Sequence, residues 1–201
     1  MITRNFDILT QFDWNIAFEN ASLYLVRHAS PSSNYTGSYL HDTGPGLSEE
    51  GFREAAQLAV KLHEISLPAS IVRTSSMRRA VETAKIVCPA FAGEICIDPH
   101  LNEFDFQQPI NFRTLEEISL SIYESTNLGC PIWVTHGAVI YSVIVGLCKI
   151  TPTRLTKYGN CCPPTGVWHI KCSKGRWAAN YVFGPESNSY DPFIAYTNQT
   201  K

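Results

Sequence analysis

No stretch of the chain reaches the ~18 consecutive apolar residues that a membrane-spanning helix needs. The longest apolar run, Ala138 to Cys148, is interrupted by Tyr141, Ser142 and Gly146. The first residues, MITRNFDILTQFDWNIAFEN, lack a charged segment leading into an apolar one and do not read as a secretory signal. A basic excess is also missing. Sixteen Lys and Arg stand against 18 Asp and Glu, for a formal charge of −2, which argues against a general nucleic-acid binder but leaves room for a local basic pocket. The seven cysteines are odd in number and follow no disulfide-framework spacing, so they read as free thiols in a reducing compartment. The N-x-S/T triplets at Asn20, Asn34 and Asn198 are then chance matches. Cys161, Cys162, His169 and Cys172 fit no zinc spacing, and adjacent cysteines in a strand point opposite ways. These absences predict a soluble, cytoplasmic protein with no metal, no cofactor, no membrane and no nucleic-acid partner. They leave its oligomeric state open.

The 201 residues, 44% apolar and 17% charged, have a globular composition. At this length folding buries roughly 70% of the unfolded surface, so no staple is required. Residues 1–21 read as an extension whose Phe6, Ile8, Phe12, Trp14 and Phe18 pack on the remainder, and 22–201 as one catalytic domain. Residues 22–27 read as a buried strand, followed by a long Ser-, Gly- and Tyr-rich loop over 30–47. In LSEEGFREAAQLAVKLHEI, Ser48 is a helix N-cap, and Phe52, Ala55, Ala56, Ala59 and Leu62 recur at helical spacing. Strands are expected at 70–74, 94–99 and 130–135. Helices are expected over SSMRRAVETAKIVC, capped by Ser75 or Ser76, over FRTLEEISLSIYES, and over HGAVIYSVIVGLC. TGVWHIKC, the turn SKG and RWAANYVF read as an antiparallel hairpin. Strands alternating with helices predict a three-layer α/β/α sandwich. Its central sheet is mostly parallel, with helices on both faces and the antiparallel hairpin near the C-terminus.

In such sheets ligands bind beyond the carboxyl ends of the strands. That rule gathers Arg27 and His28, then Ser75, Ser76, Arg78 and Arg79, then Glu103, then His136 and Gly137. Each has a plain reading alone: a surface arginine, a half-buried histidine, a helix cap. Together, in order and each at a strand end, they describe an anion site. Arginine forks match phosphate oxygens, a neutral imidazole is a competent nucleophile at phosphorus, and a partly buried carboxyl can protonate a leaving oxygen.

The same residues carry a family resemblance. LVRHAS resembles the Arg-His-Gly motif of the histidine phosphatase superfamily, also called phosphoglycerate mutase-like. LSEEG is similar to its Leu-Ser/Thr-x-x-Gly helix start, and SSMRRAVETA to its Ser-Pro-Leu-x-Arg-Ala-x-Gln-Thr-Ala segment, which singles out Arg79 over Arg78. LNEFDF resembles its Leu-x-Glu segment, and VTHGAVI its second-histidine motif. The resemblance spans roughly 22–150 and implies a metal-independent phosphomonoesterase, a phosphatase working through a phosphohistidine on His28. Arg27, Arg79, His136 and Gly137 would hold the phosphoryl group, with Asn34 as a further contact, and Glu103 would be the acid/base. The implied partner is a phosphorylated small molecule or a phosphoprotein. A mutase of the phosphoglycerate type, or a non-catalytic phosphate-binding adaptor on the same fold, is the alternative. The chain also departs from the pattern. Ala29 replaces Gly, which is mild if φ is negative there and strained if not. Pro31 replaces a Ser, Ser76-Met77 replaces Pro-Leu, and the Gly-rich stretch that follows the acid is missing, which makes Asp105 the fallback for Glu103.

Overall fold

The strand expected at 22–27 runs from Asn20 to Arg27 (β1), two residues longer than its apolar core implies, because its first residues pair with the C-terminal hairpin. In the computed structural model, residues 2–14, 16, 18–34, 43–65, 71–91, 93–105, 108–127, 132–149 and 162–184 are described. Beside β1 lie β2 (Ile71–Thr74), β3 (Glu94–Ile97), β4 (Ile132–Thr135), β5 (Val167–Ser173) and β6 (Arg176–Phe183). The six strands form one sheet in the order β3-β2-β4-β1-β5-β6. β1, β2, β3 and β4 pair in parallel, while β5 joins β1 antiparallel and β6 closes the hairpin.

The helices are α1 (Ile2–Gln11), α2 (Glu49–Glu64), α3 (Arg78–Val87), α4 (Phe112–Asn127) and α5 (Gly137–Ser142), the last continuing as a wider π-type turn over Val143–Leu147. Alternation along the buried strands sends side chains to both faces. Val26, Val72, Ile132 and Val134 meet Leu58 and Leu62 of α2 and Ala80, Ala84 and Val87 of α3. Leu23, Leu25, Trp133, Trp168 and Ile170 meet α4, α5 and the N-terminal segment through Leu115, Ile118, Val139, Leu9 and Trp14. The result is the expected three-layer sandwich with an antiparallel hairpin. No helix among the described residues is long and apolar enough to cross a membrane.

Two local expectations are corrected, and the start of the N-terminal extension, which carried no assigned element, is a helix, α1. In α2 the buried face is Gly51, Ala55, Leu58 and Leu62, while Phe52 is 49% exposed. The wheel offers two overlapping apolar stripes, and the one bearing the two leucines buries more area against the sheet. The N-cap of α3 is Met77, with no side-chain cap, because Ser75 and Ser76 turn their hydroxyls to Asn102. Ser48 caps α2 as expected, its hydroxyl accepting from the Gly51 N–H. Asn198, Cys161 and residues 35–42 of the loop over 30–47 lie outside the described residues.

Candidate active site

Register puts the strand ends level. Arg27 is opposite Thr135 across β1 and β4, and Thr74 is opposite both Val134 and Ile97. The next residue on three of these strands is therefore His28, His136 or Ser75, side by side at one rim. The His28 N–H bonds the Thr135 carbonyl and the Ser75 N–H bonds the Val134 carbonyl, which extends the ladder by one step.

His28 is 3% exposed. Its Nδ1 lies 2.7 Å from the Ala29 carbonyl, which can only accept, so Nδ1 carries the proton. Its Nε2 lies 3.2 Å from Arg79 Nε, which can only donate, so Nε2 presents its lone pair. Burial, then the charge of Arg27 and that of Arg79, push its pKa down to about 3 against the bond to Ala29, and the ring is neutral at physiological pH. The ring of His136 lies 4.9 Å from that of His28, centroid to centroid. His136 is fully buried, and its pKa is lowered by burial first and then by His28, Arg79 and Arg27. Its Nε2 is 2.7 Å from Ser75 Oγ, and its Nδ1 is 3.8 Å from Glu103 Oε2.

Arg27 leaves β1 at the rim, where the segment 162–166 holds it. Nη1 donates to the Cys162 carbonyl at 2.7 Å, while the Arg27 N–H bonds Gly166 O and the Arg27 carbonyl accepts from Thr165 N–H. Thr165 takes φ 58°, a left-handed turn that aims its N–H at the strand. Arg79, in the first turn of α3, is 3% exposed and donates Nη2–H to Met77 Sδ besides its bond to His28. Glu103 Oε1 accepts the Ala138 N–H at 3.2 Å. Burial raises its pKa, outweighing that hydrogen bond and the nearby charges of Arg27 and Arg79. One chemical set results: a neutral imidazole with its Nε2 lone pair presented, a second imidazole, two guanidinium groups and a carboxyl held toward its protonated form.

The structure thus brings together Arg27, His28, Arg79, Glu103 and His136, with Gly137 beginning the helix after His136. Arg78 is exposed and paired to Glu82 at 2.8 Å. Asn34 is exposed, its N–H directed to Ser32 Oγ at 3.4 Å, and no described contact links it to the two histidines. Asp105 is exposed. Ala29 is fully buried and is not among the positive-φ residues, so its methyl packs beside Leu47 and Ala55 without strain. Of the cysteine cluster, Cys162 and Cys172 are buried thiols, and His169 instead stacks on Tyr24 with ring centroids 4.0 Å apart and meets Ser22 Oγ at 2.7 Å. Sequence reasoning missed Asn102, whose amide holds Ser75 and Ser76, and the Cys162 carbonyl. The first had only its place before Glu103 as a signal, and the second is backbone and had none.

One nitrogen or oxygen from each of His28, Glu103 and His136 lies within 4.8 Å of the others, a spacing a metal ion could accept. The two guanidinium groups that depress both histidines would repel a cation just there, and they favour an anion.

The family model of the histidine phosphatase superfamily, branch 1, matches residues 23–127. The chain belongs to this superfamily. The chain is similar to a probable phosphatase from Schizosaccharomyces pombe, 38% identical over 66 residues, 32% of this chain and 31% of that one. The adenosylcobalamin/alpha-ribazole phosphatase of Escherichia coli is 32% identical over 84 residues, 42% of this chain and 40% of its own. The matched stretch thus spans well under half of either relative's length. The mycobacterial glucosyl-3-phosphoglycerate phosphatase, solved with VO3, superposes with a TM-score of 0.63 at 15% identity, over 82% of this chain and 100% of that one, a likeness of fold.

Proposed function

We propose that this histidine phosphatase superfamily member is a metal-independent phosphomonoesterase working through a phosphohistidine on His28. The observation that carries the reading is the state of His28: buried, neutral, its Nδ1 proton committed to the Ala29 carbonyl and its Nε2 lone pair turned to Arg79. Nε2 attacks phosphorus, the ester P–O bond breaks, and Glu103 gives its proton to the departing oxygen. The Glu103 carboxylate then takes a proton from water, the oxygen attacks phosphorus, the N–P bond breaks and inorganic phosphate leaves. Arg27 and Arg79 balance the charge on the equatorial oxygens, joined by His136 once the phosphoryl dianion offsets the arginine charges and lets that ring take a proton. The substrate is a phosphorylated small molecule or phosphoprotein. Cys88, Cys96, Cys148, Cys162 and Cys172 are free thiols, which supports a reducing, cytoplasmic setting.

The test is hydrolysis of an aryl phosphate with EDTA present, by wild type and His28→Ala, with acid quench to trap a labile phosphohistidine. Turnover by the wild type that is lost in the variant, with label on residue 28, is expected. Activity that survives His28→Ala overturns the nucleophile assignment. Loss to EDTA that added metal restores overturns metal independence. A folded, phosphate-binding wild type without turnover favours a binding module.

A further inference from the structure

Behind His136 runs a hydrogen-bond chain that the reaction scheme leaves unused. His136 Nε2 meets Ser75 Oγ at 2.7 Å, Ser75 Oγ meets Asn102 Oδ1 at 2.8 Å, and the Met77 N–H donates to the same hydroxyl at 3.1 Å. The Ser76 N–H, which can only donate, points at Asn102 Oδ1 from 2.9 Å and so fixes which end of that amide is oxygen. The other end, Nδ2, donates to Ser76 Oγ at 2.9 Å.

A hydroxyl has one proton and two lone pairs. The proton of Ser75 goes to Asn102 Oδ1. One lone pair takes the Met77 N–H, and the other is left for a donor, which must be His136 Nε2. His136 therefore carries its proton on Nε2 and a bare lone pair on Nδ1, a buried atom with no hydrogen-bond partner among the described residues and 3.8 Å from Glu103 Oε2. His28 has the opposite tautomer. The segment that supplies Asn102 also clasps the neighbours of His136: the Leu101 carbonyl accepts from Thr135 Oγ1 at 2.7 Å, and Glu103 Oε1 holds the Ala138 N–H.

We propose that Asn102 and Ser75 are positioning residues that set the tautomer of His136, holding its proton on Nε2 and reserving Nδ1 for the next proton it takes. The use of that arrangement rests on the phosphoryl-transfer reading: a proton arriving on Nδ1 makes an imidazolium whose new N–H lies on the side of Glu103 and His28, where the phosphoryl oxygens would sit. The tautomer itself does not depend on that reading.

The experiment is long-range ¹H–¹⁵N correlation on the full chain labelled in histidine, with the His136 ring assigned by His136→Gln. The wild type is expected to show His136 protonated on Nε2 and His28 on Nδ1. Asn102→Ala never touches the histidine, yet it deprives the Ser75 hydroxyl of its acceptor. That hydroxyl then donates to Nε2, moving the His136 proton to Nδ1, and kcat falls roughly ten- to hundredfold. Asn102→Asp keeps the acceptor, so it retains the wild-type tautomer and recovers most of the rate. Ser75→Ala gives a mixture of tautomers. A wild-type His136 protonated on Nδ1, or an Asn102→Ala protein with the wild-type ring pattern, overturns the proposal without need of any assay. The expected ring patterns in a protein that hydrolyses no phosphate ester would leave the tautomer assignment standing and sink the phosphatase reading alone.

Discussion

Arg73 and Arg79 are both buried, and they meet opposite fates. Arg73, on β2, is tied to Asp98 through Nη1 and to Glu124 through Nη2, each at 2.9 Å, and Ser121 Oγ donates to the same Asp98 oxygen at 2.7 Å. Its charge is spent inside the fold. Arg79 instead donates to an imidazole nitrogen and a thioether, and Arg27 to a carbonyl. Those acceptors are neutral, and the two guanidinium charges are felt by the neighbouring groups, lowering the pKa of both histidines. A buried arginine closed on two carboxylates is architecture, and one set beside two imidazoles favours an anion there.

The largest expected effect is on the second kind. Arg79→Ala lowers kcat/KM about 10³-fold or more while the urea midpoint moves little, as read by aryl phosphate kinetics beside equilibrium unfolding. Arg73→Ala does the reverse. It leaves Asp98 buried and uncompensated, costs about 3–5 kcal/mol of stability, and at temperatures where it remains folded turns over near the wild-type rate. An Arg79→Ala protein as active as wild type, or an Arg73→Ala protein as stable, would break the comparison.

Glu103→Gln sharpens it from the acid side. Alkyl phosphates, whose leaving oxygen needs a proton, slow by about a hundredfold, whereas an activated aryl phosphate changes far less. A smaller effect is on pH. His28 takes a proton only near pH 3 when folded, against its ordinary 6.5 when unfolded, so between those values the unfolded chain binds the extra proton. Stability therefore falls as pH drops from about 6.5 to 3, with a slope on the order of 1 kcal/mol per pH unit. His28→Gln flattens part of that slope in urea titrations, and an unchanged slope would contradict the buried neutral ring. The smallest effect is at Asn34. Exposed and with no described contact to the histidines, its change to Ala shifts KM less than about twofold, a value within the range of neutral surface substitutions.

The layered fold was legible because strand and helix periods alternate along the chain, and the grouping of Arg27, His28, Arg79, Glu103 and His136 as a candidate site was legible because each comes at or after the end of a strand. What escaped had physical reasons. α1 has no acidic residue in its first turn and no basic one in its last, so nothing marks it as a helix beyond the spacing of Ile2, Phe6 and Leu9. Phe52 and Leu58 of α2 compete for the buried stripe, and the sheet decides between them. Asn102 acts through hydrogen bonds to residues 26 and 27 positions away, a distance no local pattern spans, and Arg27 is steadied by a carbonyl that any residue type could supply. Ala29, where the backbone was open to question, is settled by its fit in a pocket of its own size.

Trp14 fills the space where Gly146 has no side chain, so that a Cβ there would run into its indole, and its Nε1–H reaches back to the Leu9 carbonyl at 3.4 Å. The wider turn that contains Gly146 continues the helix capped by His136. In the language of association, residues 2–14 are a tethered ligand of that helix, present at the millimolar effective concentration that a short connection confers. Severing the chain between Glu19 and Asn20 would turn the occupancy of this contact into a function of dilution.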